Sequence, residues 1–302
     1  KNEEPDIVHT FDTKPNILTS VAAWLAQTPK RIKTINGMGR VFSVDSKKNY
    51  FLRKIYHALQ IVTSKLTHFT IFQNTDDLEY FVSNNLIKEN NAFHVAGSGV
   101  SVEALNLSLG SCGEISKLKK SLNINNQCVI IHISRILKVK GVLDYLESAT
   151  EISKLTNNVK FLLVGPIETG PDGINKTDID KYKSVCHYLG FRSDVANLIE
   201  ISDVVVLPTY YKEGVPRVLI EGAALSKPLI STDVNGCRDI VVNNYNGILV
   251  PTKNPKKLSE AILTLAKNPK MRINYGKNGR DLVIKNFSLT KVCDGWKNLY
   301  EI

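Results

Sequence analysis

The chain has 302 residues, 43% of them hydrophobic and 23% charged, a balance that suits a globular protein of two ordinary domains and excludes a disordered or fibrous one. No run approaches the roughly 20 apolar residues that a membrane-spanning helix needs. Net charge is +10, and part of the excess is local: between Lys30 and Lys54 lie eight Lys or Arg residues and one acid, Asp45. Such a patch favours nucleic acid, anionic lipid or a phosphorylated ligand. Aromatic residues are not interleaved with it and no nucleic-acid-binding motif occurs, so nucleic acid is not expected as a partner and a membrane surface or pyrophosphate lipid is. Five cysteines (112, 128, 186, 237 and 293) lack CxxC or Cys/His spacing, which reads as reduced intracellular thiols and not as a disulfide frame or zinc site.

Asp6–Thr10 reads as a short buried strand, 16–27 as a helix and Arg31–Ile35 as a second strand that runs into the turn Asn36-Gly37-Met38-Gly39. A helix over about 49–66, a strand from His68 to Gln73, a helix starting near Asp76 and a strand from Asn91 to Val95 complete a first βα alternation, ending at a hinge over Gly97–Val100. The alternation restarts with strands at 128–133 and 159–164, helices at about 141–155 and 178–189, a short strand near 198–200, and a strand at 203–207. A helix at 216–226, a strand from Pro228 to Ser231, a helix or turn at 236–242, a strand from Gly247 to Val250 and helices at 255–267 and 270–285 follow. The result is α/β with two parallel-sheet domains, 1–97 and 98–287, and a final amphipathic helix at 288–302. The first domain holds only about four strands, the sequence begins at Lys1 and it enters a strand almost at once. A start inside a longer protein is expected on both counts.

Three stretches suit chemistry. Glu213 and Glu221 sit eight residues apart across a loop-to-helix junction in EGVPRVLIEGAAL, where Pro216 suits a first helical turn and the N–H groups of that turn favour a phosphate or sugar hydroxyl. Glu221 lies in an otherwise apolar helix, so it needs a partner, either a ligand's hydroxyls or a cap or ion pair within the protein. Arg135 and Lys140, in SRILKVKG past a strand's carboxyl end, form a forked donor set and a point charge suited to a diphosphate, although two loop cations also fit a solvated surface. Asn36-Gly37 occupies the strand edge where ligands of open α/β sheets bind. Weaker candidates are His9 and Asp12 at a strand end, Asp178 and Asp180 with DxD spacing at a helix start where capping explains them, and His132 inside a core strand.

SRILKVKG, the run from LGFRSDVANLIEISDVVVLPTYYKEGVPRVLIEGAALSKPLISTDVNGCRDIV and NGILVPTKNPKKLSEAI resemble family 4 glycosyltransferases of the GT-B fold. The resemblance spans nearly the whole chain and is most specific over 129–268. PDIVHTFDTKPNIL, TINGMGRVF and GSGVSVEAL are similar to the branch that builds bacterial surface polysaccharides on lipid-linked intermediates. It implies two Rossmann-like domains facing a cleft, the first incomplete, with the last helix returning to the first domain. It also implies a retaining, generally metal-independent hexosyl- or N-acetylhexosaminyltransferase without a cofactor. The donor would be a nucleotide-diphosphate sugar, as a UDP-sugar, and the acceptor a polyprenyl-diphosphate-linked saccharide for capsule, O-antigen or exopolysaccharide. The enzyme would work in the cytoplasm, on the anionic inner face of the plasma membrane. By the same resemblance Glu221 binds ribose hydroxyls and Glu213 holds the donor sugar with the peptides of Gly214 and Val215. Arg135 and Lys140 grip the diphosphate, and Phe191 and Arg192 line the base pocket. A front-face displacement follows, in which the leaving diphosphate helps remove the acceptor's proton. Two departures stand out. Many members carry His where this chain has Asn36, which can position a group but cannot act as a base. Relatives also begin with a strand and a Gly-rich loop that this sequence lacks. A UDP-sugar epimerase on the same fold and a non-catalytic nucleotide-binding remnant are the alternatives.

Overall fold

Short β-branched and apolar runs bounded by Gly, Pro and Asn give ten strands among the described residues, all paired in parallel. A computed structural model describes residues 3–301. In the first sheet β1 (Ile7–Phe11), β2 (Lys30–Ile35), β3 (Phe69–Phe72) and β4 (Ala92–His94) lie in sequence order. The second takes β5 (Cys128–Ile133), β6 (Val159–Val164), β7 (Cys186–Tyr188), β8 (Val204–Leu207), β9 (Leu229–Thr232) and β10 (Gly247–Val250) in the order β10-β9-β8-β5-β6-β7. Winding therefore reverses between β5 and β8, and the loops leaving these two strands part around a crevice. The central strands of this sheet are covered on both faces: Ile131, Leu162 and Val205 pack on one side and Ile130, Leu163 and Val206 on the other.

The chain crosses between the sheets twice. At the crossings Val100 N–H donates to Phe287 O and Leu289 N–H to Val100 O, both at 2.9 Å, so the two strands of the hinge are zipped side by side. The last helix, Leu289–Glu301, then sets Val292 and Leu299 against Ile32, Ile71 and Val95 of the first sheet.

The opposite face of that sheet has an unusual interior. Thr10, Lys33 and Thr70 are adjacent in register and all buried. Lys33 Nζ donates to Gln60 Oε1 (2.8 Å), Thr63 Oγ1 (2.9 Å) and Ser64 Oγ (3.0 Å) of the helix Lys47–Leu66. Thr10 Oγ1 donates to Asn16 Oδ1 (2.6 Å) of the helix Thr13–Leu25. No carboxylate accepts from Lys33 within this cluster, and burial lowers its pKa from 10.5 to about 7. The unfolded chain thus holds the proton up to about pH 10.5 and the folded chain only up to about 7. Between those values the unfolded state binds more protons, so this group makes stability rise with pH across that window and contributes no slope below or above it. Urea unfolding followed from pH 6 to 10 is expected to show a slope of up to roughly 1 kcal/mol per pH unit that Lys33→Met removes. Equal slopes in the two proteins would contradict the assignment.

Several expectations are corrected. The segment 178–189 is not one helix: a short helix (Lys176–Asp180) and a turn lead into β7, because Cys186–Tyr188 gains backbone pairing with Phe161–Leu163 at the sheet edge. The segment near 198–200 is helical (Val195–Glu200), a form that buries both Leu198 and Ile199 in the core between sheet and helices. β1 is an edge strand with Ile7 and Phe11 exposed, since β2 covers it on one side only. Helices Val102–Leu107 and Cys112–Ser121 fill a stretch left without elements by periodicity.

Candidate active site

The crevice at the β5/β8 reversal is built from two loops that lean on each other. After β5 the chain makes a tight turn over Lys138–Lys140 and reaches Gly141 at φ +72°. A Cβ at Gly141 would overlap the Pro208 carbonyl, so glycine is required for the loops to meet. Thr209 Oγ1 (3.1 Å) and Tyr210 N–H (2.9 Å) both donate to Val139 O. This contact puts Lys140 Nζ in an ion pair with Glu213 Oε1 and 5.0 Å from the centre of the Tyr211 ring. Both charged side chains are largely shielded, at 12% and 15% exposure, so the pair works in a medium less screening than water.

The other candidates have partners of their own. Arg135 stands on the same loop but pairs with Glu168, at 3.3 Å, and half of its side chain is exposed. Glu221 does find a partner within the protein: Arg217, one helical turn earlier, donates to its Oε1 at 2.7 Å. Arg217 is 66% exposed and Glu221 only 17%, so the guanidinium can swing to water while the carboxylate stays shielded. Arg192 is held by Asp194 through two bonds of 2.7 and 2.5 Å, and the neighbouring Phe191 ring is 74% exposed. Val215 is buried in the core, packed with the helix Arg217–Ala224.

The first domain closes over the same loop. Gly37 has φ +128°, and a Cβ there would lie 2.6 Å from Gly214 N, 2.7 Å from Glu213 C and 2.8 Å from Lys212 O. Gly39 N–H donates to Lys212 O (3.1 Å), Lys212 N–H to Ser43 Oγ (2.8 Å) and Asn74 Nδ2 to Glu213 O (3.1 Å). Asn74 is itself fixed by Asp77, which also accepts from Asn235 Nδ2 across the cleft at 2.8 Å. Burial raises the Asp77 pKa to about 6. Arg40 reaches Asp172 (2.5 Å) and Arg238 reaches Asp76 (2.8 Å), so ion pairs bracket both ends of the closed cleft. The sequence reading missed Asn74, Asp77 and Asn235 altogether. Asn and Asp at helix starts read as caps, and Asn74 does cap the helix Thr75–Ser83.

Beside the closed loops lies a cavity of about 570 Å³ lined by Asp12, Asn36, Met38, Tyr56, Tyr211 and Lys212 among others. Asn36 Nδ2 donates to Asp12 Oδ1 at 3.2 Å, while its buried Oδ1 has no partner among the described residues. His9 is a packing residue: it bonds Tyr300 Oη (2.6 Å) and Thr34 Oγ1 (2.7 Å), stacks on Phe11, and burial lowers its pKa to about 4. His132 lies in the core with a pKa pushed down to about 3 by burial. Asp178 and Asp180 pair with Lys181 and Lys176 on the surface, and among the described residues no group of three His, Cys, Asp or Glu is placed to hold a metal ion.

Two parallel-sheet domains shut on a lysine–carboxylate pair at a switch point are the architecture of GT-B glycosyltransferases. The chain superposes on the Anabaena protein HepE in complex with UDP and glucose with a TM-score of 0.81 at 18% identity, covering 98% of this chain and 78% of that one. A glycosyltransferase from Rickettsia africae gives a TM-score of 0.79 at 25% identity, covering 99% and 76%. The sequence profile of the glycosyl transferases group 1 family matches residues 114–282, and the chain belongs to that family. It is 31% identical over 278 residues to the N,N'-diacetylbacillosaminyl-diphospho-undecaprenol alpha-1,3-N-acetylgalactosaminyltransferase of Campylobacter jejuni, covering 92% of this chain and 72% of that protein. It is also 30% identical to the capsular polysaccharide biosynthesis glycosyltransferase CapM of Staphylococcus aureus, covering 99% and 77%.

Proposed function

We infer that this glycosyltransferase moves a sugar, with retention, from a UDP-sugar to a saccharide carried on a polyprenyl diphosphate, in the assembly of a surface polysaccharide. The observation that carries this reading is the shielded Lys140–Glu213 pair at the β5/β8 switch point, facing Asn36 and Gly37 of the other domain. The second domain, 98–287, takes the donor and the first, 1–97, the acceptor. On donor binding Lys140 exchanges part of its bond with Glu213 for the diphosphate, and Arg135 leaves Glu168 for the same anion. Glu213 is then free to accept from donor-sugar hydroxyls beside the Gly214 and Val215 peptides. Glu221, released by Arg217, accepts from the ribose, and Phe191 and Arg192 flank the base. The acceptor hydroxyl attacks the anomeric carbon as its bond to the phosphate oxygen breaks. The hydroxyl proton passes to that departing oxygen while Lys140 and Arg135 hold its growing charge. Asn36 orients the acceptor hydroxyl and does not deprotonate it, a role supported by its buried Oδ1 having no partner among the described residues.

The acceptor assignment draws on the names of the relatives, one acting on a diphospho-undecaprenol saccharide and one on capsule. No helix among the described residues is long and apolar enough to cross a membrane. A lipid-linked acceptor of that kind suits a peripheral position on the cytoplasmic face of the plasma membrane. The test offers labelled UDP-sugars and undecaprenyl-diphosphate-linked amino sugars to the protein, with and without Glu221→Ala. Expected are a product with one donor and a UDP dissociation constant raised about 10–100-fold by the substitution, the cost of losing a charge-assisted pair of hydrogen bonds. No product with any donor, or unchanged UDP affinity in the variant, overturns the reading. An altered UDP-sugar released without acceptor would mark an epimerase instead.

A further inference from the structure

The start of the helix Thr75–Ser83 carries more than a cap needs. Asn74 Oδ1 accepts from Asp77 N–H at 2.8 Å, and that bond alone caps the helix. In a capping box, an acid at the third helical position turns back to the cap residue's own peptide. Asp77 points elsewhere. It is fully buried and forms no ion pair among the described residues. One carboxylate oxygen accepts from Asn74 Nδ2 (3.0 Å) and the other from Asn235 Nδ2 of the second domain (2.8 Å). A buried carboxylate held only by two amides is costly, and capping does not call for it.

Both surplus bonds lead to the loop that carries Glu213. Asn74 Nδ2 also donates to Glu213 O at 3.1 Å. Asn235 precedes Gly236, where a Cβ would overlap the Gly214 carbonyl. These contacts close a ring across the cleft, from Asn74 through Asp77, Asn235, Gly236, Gly214 and Glu213 back to Asn74. Two consecutive carbonyls are thereby fixed: Glu213 O by a donor of the first domain, and Gly214 O against a turn of the second. In a trans peptide the N–H points opposite to the C=O, so the same contacts aim the N–H groups of Gly214 and Val215. Both residues are buried, yet neither N–H has a hydrogen-bond acceptor among the described residues. Buried peptide N–H groups without a partner are rare, and two in succession suit the oxygen atoms of a ligand.

We propose that Asn74, Asp77 and Asn235 are positioning residues that turn the Gly214 and Val215 peptides toward the donor sugar, so that the sugar subsite is complete only when the domains are closed. The nucleotide binds the second domain whether or not the cleft is shut. The sugar is gripped once the first domain has brought Asn74 to Glu213 O. Closure and sugar binding therefore favour each other, whereas UDP alone gains nothing from the ring. This deepens the donor reading and rests on it for the assignment of these peptides to the sugar. The ring is read out by binding without turnover, so the two can fail separately.

The test exchanges two side chains, Asn74→Asp with Asp77→Asn. Aspartate caps as well as asparagine does. The new amide at position 77 can donate to the new carboxylate at position 74 and still accept from Asn235. Only the donation to Glu213 O is lost. Circular dichroism and the thermal midpoint check that the variant is folded. Hydrogen exchange of the Gly214 and Val215 amides is followed with UDP, then with UDP-glucose, UDP-galactose, UDP-N-acetylglucosamine and UDP-N-acetylgalactosamine. In the parent at least one UDP-sugar is expected to slow both amides about tenfold or more beyond UDP, as a new hydrogen bond to each would do. In the exchanged pair that extra slowing is expected to vanish and kcat for transfer to fall about 10–100-fold, with UDP affinity within a few-fold of the parent. Asn235→Ala leaves the Asn74 bonds in place and is expected to lose several-fold of the same slowing. A capping role alone would move the thermal midpoint and leave the sugar-dependent slowing intact in both variants. That result overturns the proposal, as does a parent in which none of these sugars slows the two amides more than UDP. Sugar-dependent slowing without transfer to any acceptor would overturn the transferase reading and uphold the positioning role.

Discussion

Replacing Lys140 by alanine is expected to lower kcat/KM for sugar transfer about 10²–10³-fold, the usual effect of deleting one preorganised group that faces developing charge. Stability is expected to fall as well, by about 1–3 kcal/mol, because the Glu213 carboxylate is left with a single neutral contact, Thr209 Oγ1 at 3.4 Å. The two effects are separable. Adding Glu213→Gln removes the stranded charge, so the double variant recovers much of the stability measured by urea unfolding. It is not expected to recover transfer, since the proposed role of Lys140 is on the diphosphate and that of Glu213 on the sugar. A double variant that transfers sugar at near-parental rate would show the pair to be a structural tie only.

Gly37→Ala is the second large effect, and it acts on closure. The new Cβ meets the backbone of Lys212, Glu213 and Gly214 at 2.6–2.8 Å, and the φ of +128° is itself hostile to an L side chain. Backbone on both sides cannot yield as a side-chain tip would. The domains therefore stay apart, and the bonds Gly39 N–Lys212 O and Asn74–Glu213 O stretch beyond hydrogen-bonding length. The expected result is a fall in kcat of about 10²-fold or more, with UDP affinity within a few-fold of the parent. UDP affinity is expected to persist because Glu221, Arg135 and Arg192, the groups proposed to hold the nucleotide, all sit in the second domain. Small-angle scattering with UDP bound should report a more open variant. Unchanged kcat would mean that the contact with Gly37 is dispensable for turnover.

The second domain was largely legible in the sequence because each strand there is an apolar run and each turn has its own punctuation. Val204–Leu207, Pro208 and the EGVPR junction left little choice, and the 247–250 strand and 255–267 helix fall where periodicity put them. Errors came where edge pairing outweighs periodicity. Tyr182, Val185, Cys186 and Leu189 have helical spacing, yet three residues of the segment pair with β6. Glu213 and Lys140 could each be named as candidates, but their bond spans 73 residues and exists only because the winding reverses between β5 and β8. Arg217 as the partner of Glu221 is visible as an i,i+4 spacing, and it is one form of the ion pair within the protein that the sequence leaves open beside a ligand. The burial of Gln60, Thr63 and Ser64 of the helix Lys47–Leu66 against the sheet was hidden for a different reason. A stripe of Leu, Phe, Ile and Val at helical spacing reads as core-facing, and nothing in one sequence reveals that Lys33 has claimed the other side.

The zipped hinge sets the manner in which the cleft can work. A single flexible crossing lets one domain swivel freely about the chain, so reclosing involves an orientational search. Here two crossings run side by side, tied by Val100 to Phe287 and Leu289. Twisting one domain about the line joining them would shear both bonds, whereas flexing about an axis through the pair preserves them. Opening is thus confined to one rotational coordinate, and Gly37 returns to the same peptide of Gly214 on each cycle. Exchange of spent nucleotide for the next donor is then expected to follow rotation about that one axis, with the two halves of the cleft kept in alignment.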